Sequence, residues 1–170
     1  MTKAYANLHK RSSRYLAISS VDALLSLALY EKAEYVLEKL KSYYNKVSGI
    51  DKIDQQRHLR TLVLYAQSLH RRSVEHSQWI ETAKRWDAVI ALCQKYAVID
   101  NTGADVGIFY LSMSHVAQEL DQREKSREQF HLAARQLPAN SHFWIRGLGT
   151  YWFKFVSSKL PKLEAHLYRA

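Results

Sequence analysis

The sequence predicts an all-α protein made of stacked antiparallel helical hairpins. Good helix formers are abundant, while five glycines and two prolines supply few of the residues that disfavour helix interiors. Apolar residues recur at the spacing of one helix face along most of the chain. The clearest stretch is 105–138, where two apolar helical stripes are joined by a polar turn at 121–124 and closed by Pro138. Such a pair cannot bury two faces alone, so we expect neighbours stacked against it.

We expect an N-terminal segment followed by one helical domain. Residues 1–19 are polar and basic and form either a tail or a leading helix, and residues 20–170 form the domain. Ser20, followed by Asp22, is a suitable N-cap for the first helix of this domain. Polar residues at 71–77 and turn residues at 99–103 predict further breaks. The predicted hairpins are 20–47, 55–97, 105–138 and 141–170.

The formal net charge of +9 allows three interpretations. Basic residues are scattered over every predicted helix, which favours solvated helix faces. A protein or peptide partner that is acidic, or mixed acidic and apolar, is the second interpretation, and nucleic acid is the third. No stretch reaches the eighteen or so uncharged residues that a membrane span needs, and the single cysteine, Cys93, lies in an apolar stripe. We therefore expect an intracellular protein, nuclear or cytoplasmic.

The second helices of the first three hairpins share a pattern of residue sizes. A small residue is followed four positions later by a large apolar one, and three positions after that by an apolar or small one. A small residue lets two helices approach closely, and the large one fills the space toward the next hairpin. The small positions are 49 and 44 residues apart, so the repeat contains insertions. The three sets are Ala33, Leu37 and Leu40; Thr82, Trp86 and Val89; and Ser126, Phe130 and Ala133.

This pattern resembles the tetratricopeptide repeat (TPR), which has a period of about 34 residues with small and aromatic residues at fixed places. In the third hairpin the match runs from Gly107 to Pro138, and Trp144 and Tyr151 repeat the first-helix aromatics of the family in an incomplete fourth unit. The resemblance implies a TPR-like α-solenoid that acts as a non-catalytic scaffold for protein–protein interaction. The alternative is an ordinary helical bundle in which such stripes arise by chance.

A narrower resemblance covers residues 20–155. The segments 29–37 (LYEKAEYVL) and 62–70 (LVLYAQSLH) are similar to the N-terminal region of the anaphase-promoting complex subunit 7 family. That region includes no catalytic motif. The resemblance implies a nuclear scaffold subunit of a ubiquitin ligase complex of the cell cycle, which self-associates through its N-terminal repeats.

The sequence contains no pattern typical of a catalytic or metal site. Eight histidines are present, but His70 and His76 are not accompanied by carboxylates at metal-ligand spacing. Gly147 and Gly149 fall inside a helical pattern rather than in a phosphate-binding loop. Cys93 has no basic neighbour on its stripe that would favour a thiolate. We therefore expect no enzymatic activity, no cofactor and no metal.

The repeat register predicts a binding groove lined by the first helices of the hairpins. We expect it to bind a peptide or helix with acidic and apolar residues, because the planar arginine fork can donate two hydrogen bonds to a carboxylate. The alternative is that these side chains are simply solvated. The predicted groove residues are Arg60, Val63, Gln67, His70, Arg71, Ile108, Leu111, His115, Gln118 and Glu119.

Two other functions are left open. In the first, the apolar helix over 143–156 and several tyrosines close a symmetric homodimer. In the second, the basic chain binds nucleic acid, and its affinity falls steeply with salt. The residues of the predicted homodimer are Tyr43, Tyr44, Phe143, Trp144, Trp152 and Phe155.

Overall fold

A computed structural model describes residues 7–96, 103–136 and 148–160 of the chain. These residues contain seven helices and no strand, so the prediction of an all-helical protein is confirmed. The helices are α1 (Arg11–Ser26), α2 (Tyr30–Lys46), α3 (Lys52–His76), α4 (Trp79–Tyr96), α5 (Gly103–Glu119), α6 (Arg123–Gln136) and α7 (Leu148–Ser157).

Two predicted helix boundaries are wrong. The first helix begins at Arg11, and Ser20 lies inside it, where its hydroxyl donates to the carbonyl three residues earlier at 2.8 Å. Residues 71–76 are not a turn but the last part of α3. One of their polar side chains has its partner on another helix, since Nη1 of Arg72 donates to Glu34 of α2 at 3.0 Å.

The helices belong to two compact units, Met1–Gln78 (unit 1) and Trp79–Ala170 (unit 2). In unit 1, α1, α2 and α3 all contact one another. In unit 2, α4, α6 and α7 each pack against α5. The two helices of the predicted 55–97 hairpin, α3 and α4, therefore belong to different units.

Apolar residues from all three helices form the interior of unit 1. The small and branched side chains of α2 lie along one face of that helix, at the spacing that the sequence pattern predicts. Tyr44 extends this face toward the end of α2. The buried apolar residues of unit 1 include Val21, Leu24, Leu25, Ala33, Val36, Leu37, Leu40, Leu59 and Leu64.

Helix α5 is the centre of unit 2, because three other helices contact it. Every residue from 107 to 117 except Tyr110 is buried. Ser112, within this run, donates to the carbonyl of Ile108 at 2.9 Å and accepts from Nε1 of Trp152 on α7 at 2.9 Å. A helix covered on nearly all sides explains why the sequence of α5 is apolar nearly all round.

The small residues of the repeat pattern, Ala33, Thr82 and Ser126, are all buried. Ser126 on α6 lies opposite Ser114 on α5. The Ser114 hydroxyl donates to the Ser126 carbonyl at 2.8 Å, and the Ser126 hydroxyl donates to the Ser114 carbonyl at 2.9 Å. Bonds from hydroxyl to backbone in both directions require close approach of α5 and α6, which only small residues allow.

The same backbone turn follows α1 and α5. After α1, Ala28 has φ 55°, and the N–H groups of Ala28 and Leu29 donate to carbonyls three and five residues earlier, at 3.1 and 2.9 Å. After α5, Asp121 has φ 54°, and the N–H groups of Asp121 and Gln122 make the corresponding bonds at 3.0 and 2.8 Å. This pair of bonds is the Schellman arrangement, which satisfies the last helix carbonyls. In both units the small position of the pattern comes five residues after the positive-φ residue.

Candidate protein-interaction surface

Three of the five predicted groove residues on α3 are buried, namely Val63, Gln67 and His70. Arg71 is half-buried. Arg60 donates through Nη2 to both carboxylate oxygens of Asp22 on α1, at 2.8 and 3.1 Å. The guanidinium that was expected to bind a partner's carboxylate therefore already binds a carboxylate of its own unit.

On α5, the predicted groove residues Ile108, Leu111 and His115 are buried, whereas Gln118 is half-buried and Glu119 is exposed. The structure brings His115, Gln118 and Glu119 together at the end of α5. Nε2 of Gln118 also donates to the carbonyl of residue 159 at 3.4 Å. Within α5, only the last turn offers predicted groove residues to solvent, and a continuous groove stays a prediction.

His115 is the titratable group most affected by this arrangement. Its ring lies edge-on to Trp79, with centroids 5.4 Å apart, and Nε2 is 3.4 Å from Oε1 of Glu119. Burial lowers the pKa of His115, while the Glu119 carboxylate opposes that shift and Lys159 adds to it. The imidazole is therefore neutral near pH 7, and protonating it would place a charge beside the indole.

The residues predicted to form a homodimer are used largely inside the units. Tyr44 is buried and stacks on His58 with centroids 4.8 Å apart, and burial raises the pKa of Tyr44. Trp152 is buried, and half-buried Phe155 stacks on it at 4.9 Å. Tyr43 is half-buried. Phe143 and Trp144 lie outside the described residues.

Unit 1 contains a buried ion pair that the sequence interpretation missed. Nη2 and Nε of Arg14 on α1 donate to the two carboxylate oxygens of Asp54 on α3, at 2.7 and 3.2 Å. The side chains are only 5% and 9% exposed. Nη1 of Arg14 donates to the carbonyls of Leu8 and His9 at 2.7 and 2.9 Å and to the Tyr43 hydroxyl at 3.1 Å. One guanidinium therefore joins the segment before α1 to all three helices.

The sequence does carry a signal for this ion pair. Arg14 is in helical phase with Ala17, Ile18 and Val21, which form the buried face of α1, so a charge stands in an apolar stripe. A buried charge requires a partner. Identifying Asp54 as that partner requires the packing of α1 on α3, which no local pattern reveals.

Among the described residues, no three histidine, cysteine, aspartate or glutamate side chains are placed to hold a metal ion. Cys93 is half-buried and forms no disulfide. Within the same part of the chain, no helix is both long enough and apolar enough to cross a membrane.

Comparisons with protein-family models, with curated proteins and with solved structures found no match to the chain.

Proposed function

We propose that the chain is a non-catalytic scaffold for protein–protein interaction, built from TPR-like helical hairpins. The observation that carries the proposal is the likeness of α1 and α2 to α5 and α6. Both pairs are joined by the same turn, and the small, large and apolar positions of the second helix are buried in both. Two copies of one helix pair in a single chain are what a repeat protein contains.

The physical reason for linking repeats with binding is their geometry. Helix pairs that stack side by side bury their shared faces and leave an extended surface, which typically binds another protein. Each unit has its own candidate surface, namely the exposed face of α2 in unit 1 and the exposed face of α6 with the last turn of α5 in unit 2. On this proposal the resemblance to the anaphase-promoting complex subunit 7 family makes a subunit of a large ubiquitin ligase complex the first identity to test.

The test is affinity capture of the tagged full chain from a nuclease-treated native lysate, followed by mass spectrometry. We expect a reproducible set of protein partners, because a scaffold does not depend on nucleic acid for its contacts. Failure to retain any protein, or loss of every partner after nuclease treatment, would contradict the scaffold. Capture of partners without subunits of the anaphase-promoting complex would remove only the narrower identity.

Charge-reversal variants make the capture more informative. Arg71→Glu changes a predicted groove residue of unit 1 and should reduce capture several-fold if that residue contacts the partner. Lys95→Glu is the matched control at an exposed position with the same change of charge. Arg60 and Glu119 are unsuitable, because replacing them would also break their contacts with Asp22 and His115.

A further inference from the structure

The solvent face of α2 carries a row of residues that the sequence interpretation did not assign to any function. Lys32, Tyr35, Lys39, Ser42 and Lys46 are all exposed and follow one another at intervals of three or four residues, so they lie along one side of the helix. We call this row the lysine–tyrosine stripe. It spans about 21 Å and points away from the buried face of α2.

Two of the three glutamates of α2 bind groups of α3, and the third, Glu31, is exposed and forms no ion pair with the lysines of the stripe among the described residues. Glu34 accepts from Nη1 of Arg72 at 3.0 Å and from the hydroxyl of Ser68 at 3.4 Å. Glu38 accepts from the hydroxyl of Tyr65 and from Nζ of Lys41, which is outside the stripe.

The lysines of the stripe also lack carboxylates at neighbouring helix positions. No aspartate or glutamate occurs three or four residues before or after Lys32, Lys39 or Lys46, the positions from which a helix supplies ion pairs. Within the described part of the chain, Lys32 and Lys46 make no ion pair, and Nζ of Lys39 lies 5.5 Å from the centroid of the Tyr35 ring. The stripe is therefore positively charged and has an exposed aromatic ring, since Tyr35 is 59% exposed.

The spacing of the cations indicates the shape of a complementary partner. The three lysines are seven residues apart, about 10.5 Å along the helix axis. Carboxylates at the same interval occur on a partner helix with glutamates every seventh residue, as in the flanking charges of coiled coils. An apolar side chain between two such glutamates would lie against Tyr35, a residue type that often anchors interfaces.

We propose that the lysine–tyrosine stripe binds an acidic amphipathic helix of a partner protein, with glutamates paired to Lys32, Lys39 and Lys46 and an apolar residue on Tyr35. This inference rests on the proposed scaffold function and names the surface and the chemistry of one partner. Nucleic acid fits less well. Duplex DNA has one negative charge per about 1.7 Å of axis, whereas the stripe offers three lysines in about 21 Å.

The direct test uses three fluorescently labelled probes and the full chain. The first is a helical peptide with glutamates at intervals of seven residues and leucines between them. The second has the same composition with the glutamates at irregular intervals, and the third is a mixed-sequence single-stranded oligonucleotide. We expect the first probe to bind at least about tenfold more tightly than the second, because only the regular spacing pairs all three lysines.

Variants locate the binding. Replacing Lys32, Lys39 and Lys46 together by glutamate should weaken binding of the regular peptide about tenfold, and Tyr35→Ala should weaken it about fivefold. A control that replaces three other exposed lysines by glutamate makes the same change in net charge and should alter binding less than twofold. The control positions are Lys84, Lys95 and Lys125. Unchanged helical circular dichroism in each variant would show that folding is retained.

The inference is overturned if the irregular peptide binds as well as the regular one. It is also overturned if replacing the three control lysines weakens binding as much as replacing the three stripe lysines. Tighter binding of the oligonucleotide, lost in the stripe triple, would assign the stripe to nucleic acid instead. Lysate capture separates this inference from the scaffold. Suppose that the variant with all three stripe lysines replaced by glutamate retains every partner of the natural chain and binds the regular peptide with unchanged affinity. The proposal for the stripe is then wrong, and the scaffold proposal stands.

Discussion

The two units use the same turn and the same arrangement of small and large residues, but they differ in the partners of their buried polar side chains. Unit 1 has a buried ion pair between Arg14 and Asp54. Unit 2 has neutral bonds instead, between Ser114 and Ser126 and between Ser112 and Trp152. Apolar patterning therefore specifies the helix pair, whereas the buried polar contacts are particular to each unit.

The difference matters because a buried ion pair and a neutral hydrogen bond respond differently to the loss of one partner. An ion pair in the interior leaves an uncompensated charge when one side chain is removed, at a cost of about 3–5 kcal/mol. A neutral hydrogen bond leaves a smaller penalty, about 1–3 kcal/mol.

The two units can be followed separately. All four tryptophans of the chain lie after residue 78, so tryptophan fluorescence reports on unit 2, while hydrogen exchange of α1 and α3 reports on unit 1.

The largest effect is expected for Asp54→Ala. This change leaves Arg14 buried without its carboxylate and should lower the free energy of unfolding of unit 1 by about 3–5 kcal/mol. Hydrogen exchange of α1 and α3 measures it. Asp22→Ala is the control, because Asp22 and Arg60 are 38% and 28% exposed and such pairs contribute about 0–1 kcal/mol. Equal effects of the two variants would refute the importance of burial.

An intermediate effect is expected for Ser126→Val in unit 2. The larger side chain is inserted against α5 and removes the hydrogen bond that the Ser126 hydroxyl donates to the Ser114 carbonyl, which should destabilise the unit by about 2–3 kcal/mol. Urea unfolding followed by tryptophan fluorescence measures the loss. Ser126→Ala keeps the size small and should cost about 1 kcal/mol; if it costs as much as the valine, close packing is not the reason for the serine.

The smallest effect is expected at the two turns and has the opposite sign. Ala28 has φ 55°, a conformation that costs non-glycine residues about 1–2 kcal/mol, so Ala28→Gly should stabilise unit 1 by about 0.5–1 kcal/mol after the entropy of glycine is included. Asp121→Gly should stabilise unit 2 by a smaller amount, because aspartate tolerates this conformation better than alanine does. The control Ala23→Gly, inside α1, should instead destabilise by about 1 kcal/mol. Hydrogen exchange for unit 1 and fluorescence-monitored unfolding for unit 2 measure these changes.

The sequence predicts the helical class and the small residues of the pattern, because both depend on local periodicity. The burial of Ala33 and Ser126 follows from spacing alone. The role of a polar segment is harder to predict from the sequence, because it depends on residues far away in the chain. The segment 71–76 has the composition of a turn, yet it is helical and Arg72 binds Glu34.

The candidate sites show the same limit. The pattern places Gln67 and His70 on a first-helix face and so suggests a groove, but it does not reveal that both are buried. It also gives no reason to separate the lysines of α2 from other surface charges. The sequence shows only that the three lysines of the stripe have no carboxylate three or four residues away; that Glu34 and Glu38 bind groups on α3 is visible only in the structure.

The contacts of Arg14 with the carbonyls of Leu8 and His9 set a practical limit on shortened versions of the protein. A version that started at α1 would retain every helix of unit 1 but would remove two acceptors from a guanidinium that has little access to water. Residues 8 and 9 therefore belong to the smallest piece of unit 1 worth expressing by itself, although they precede its first helix.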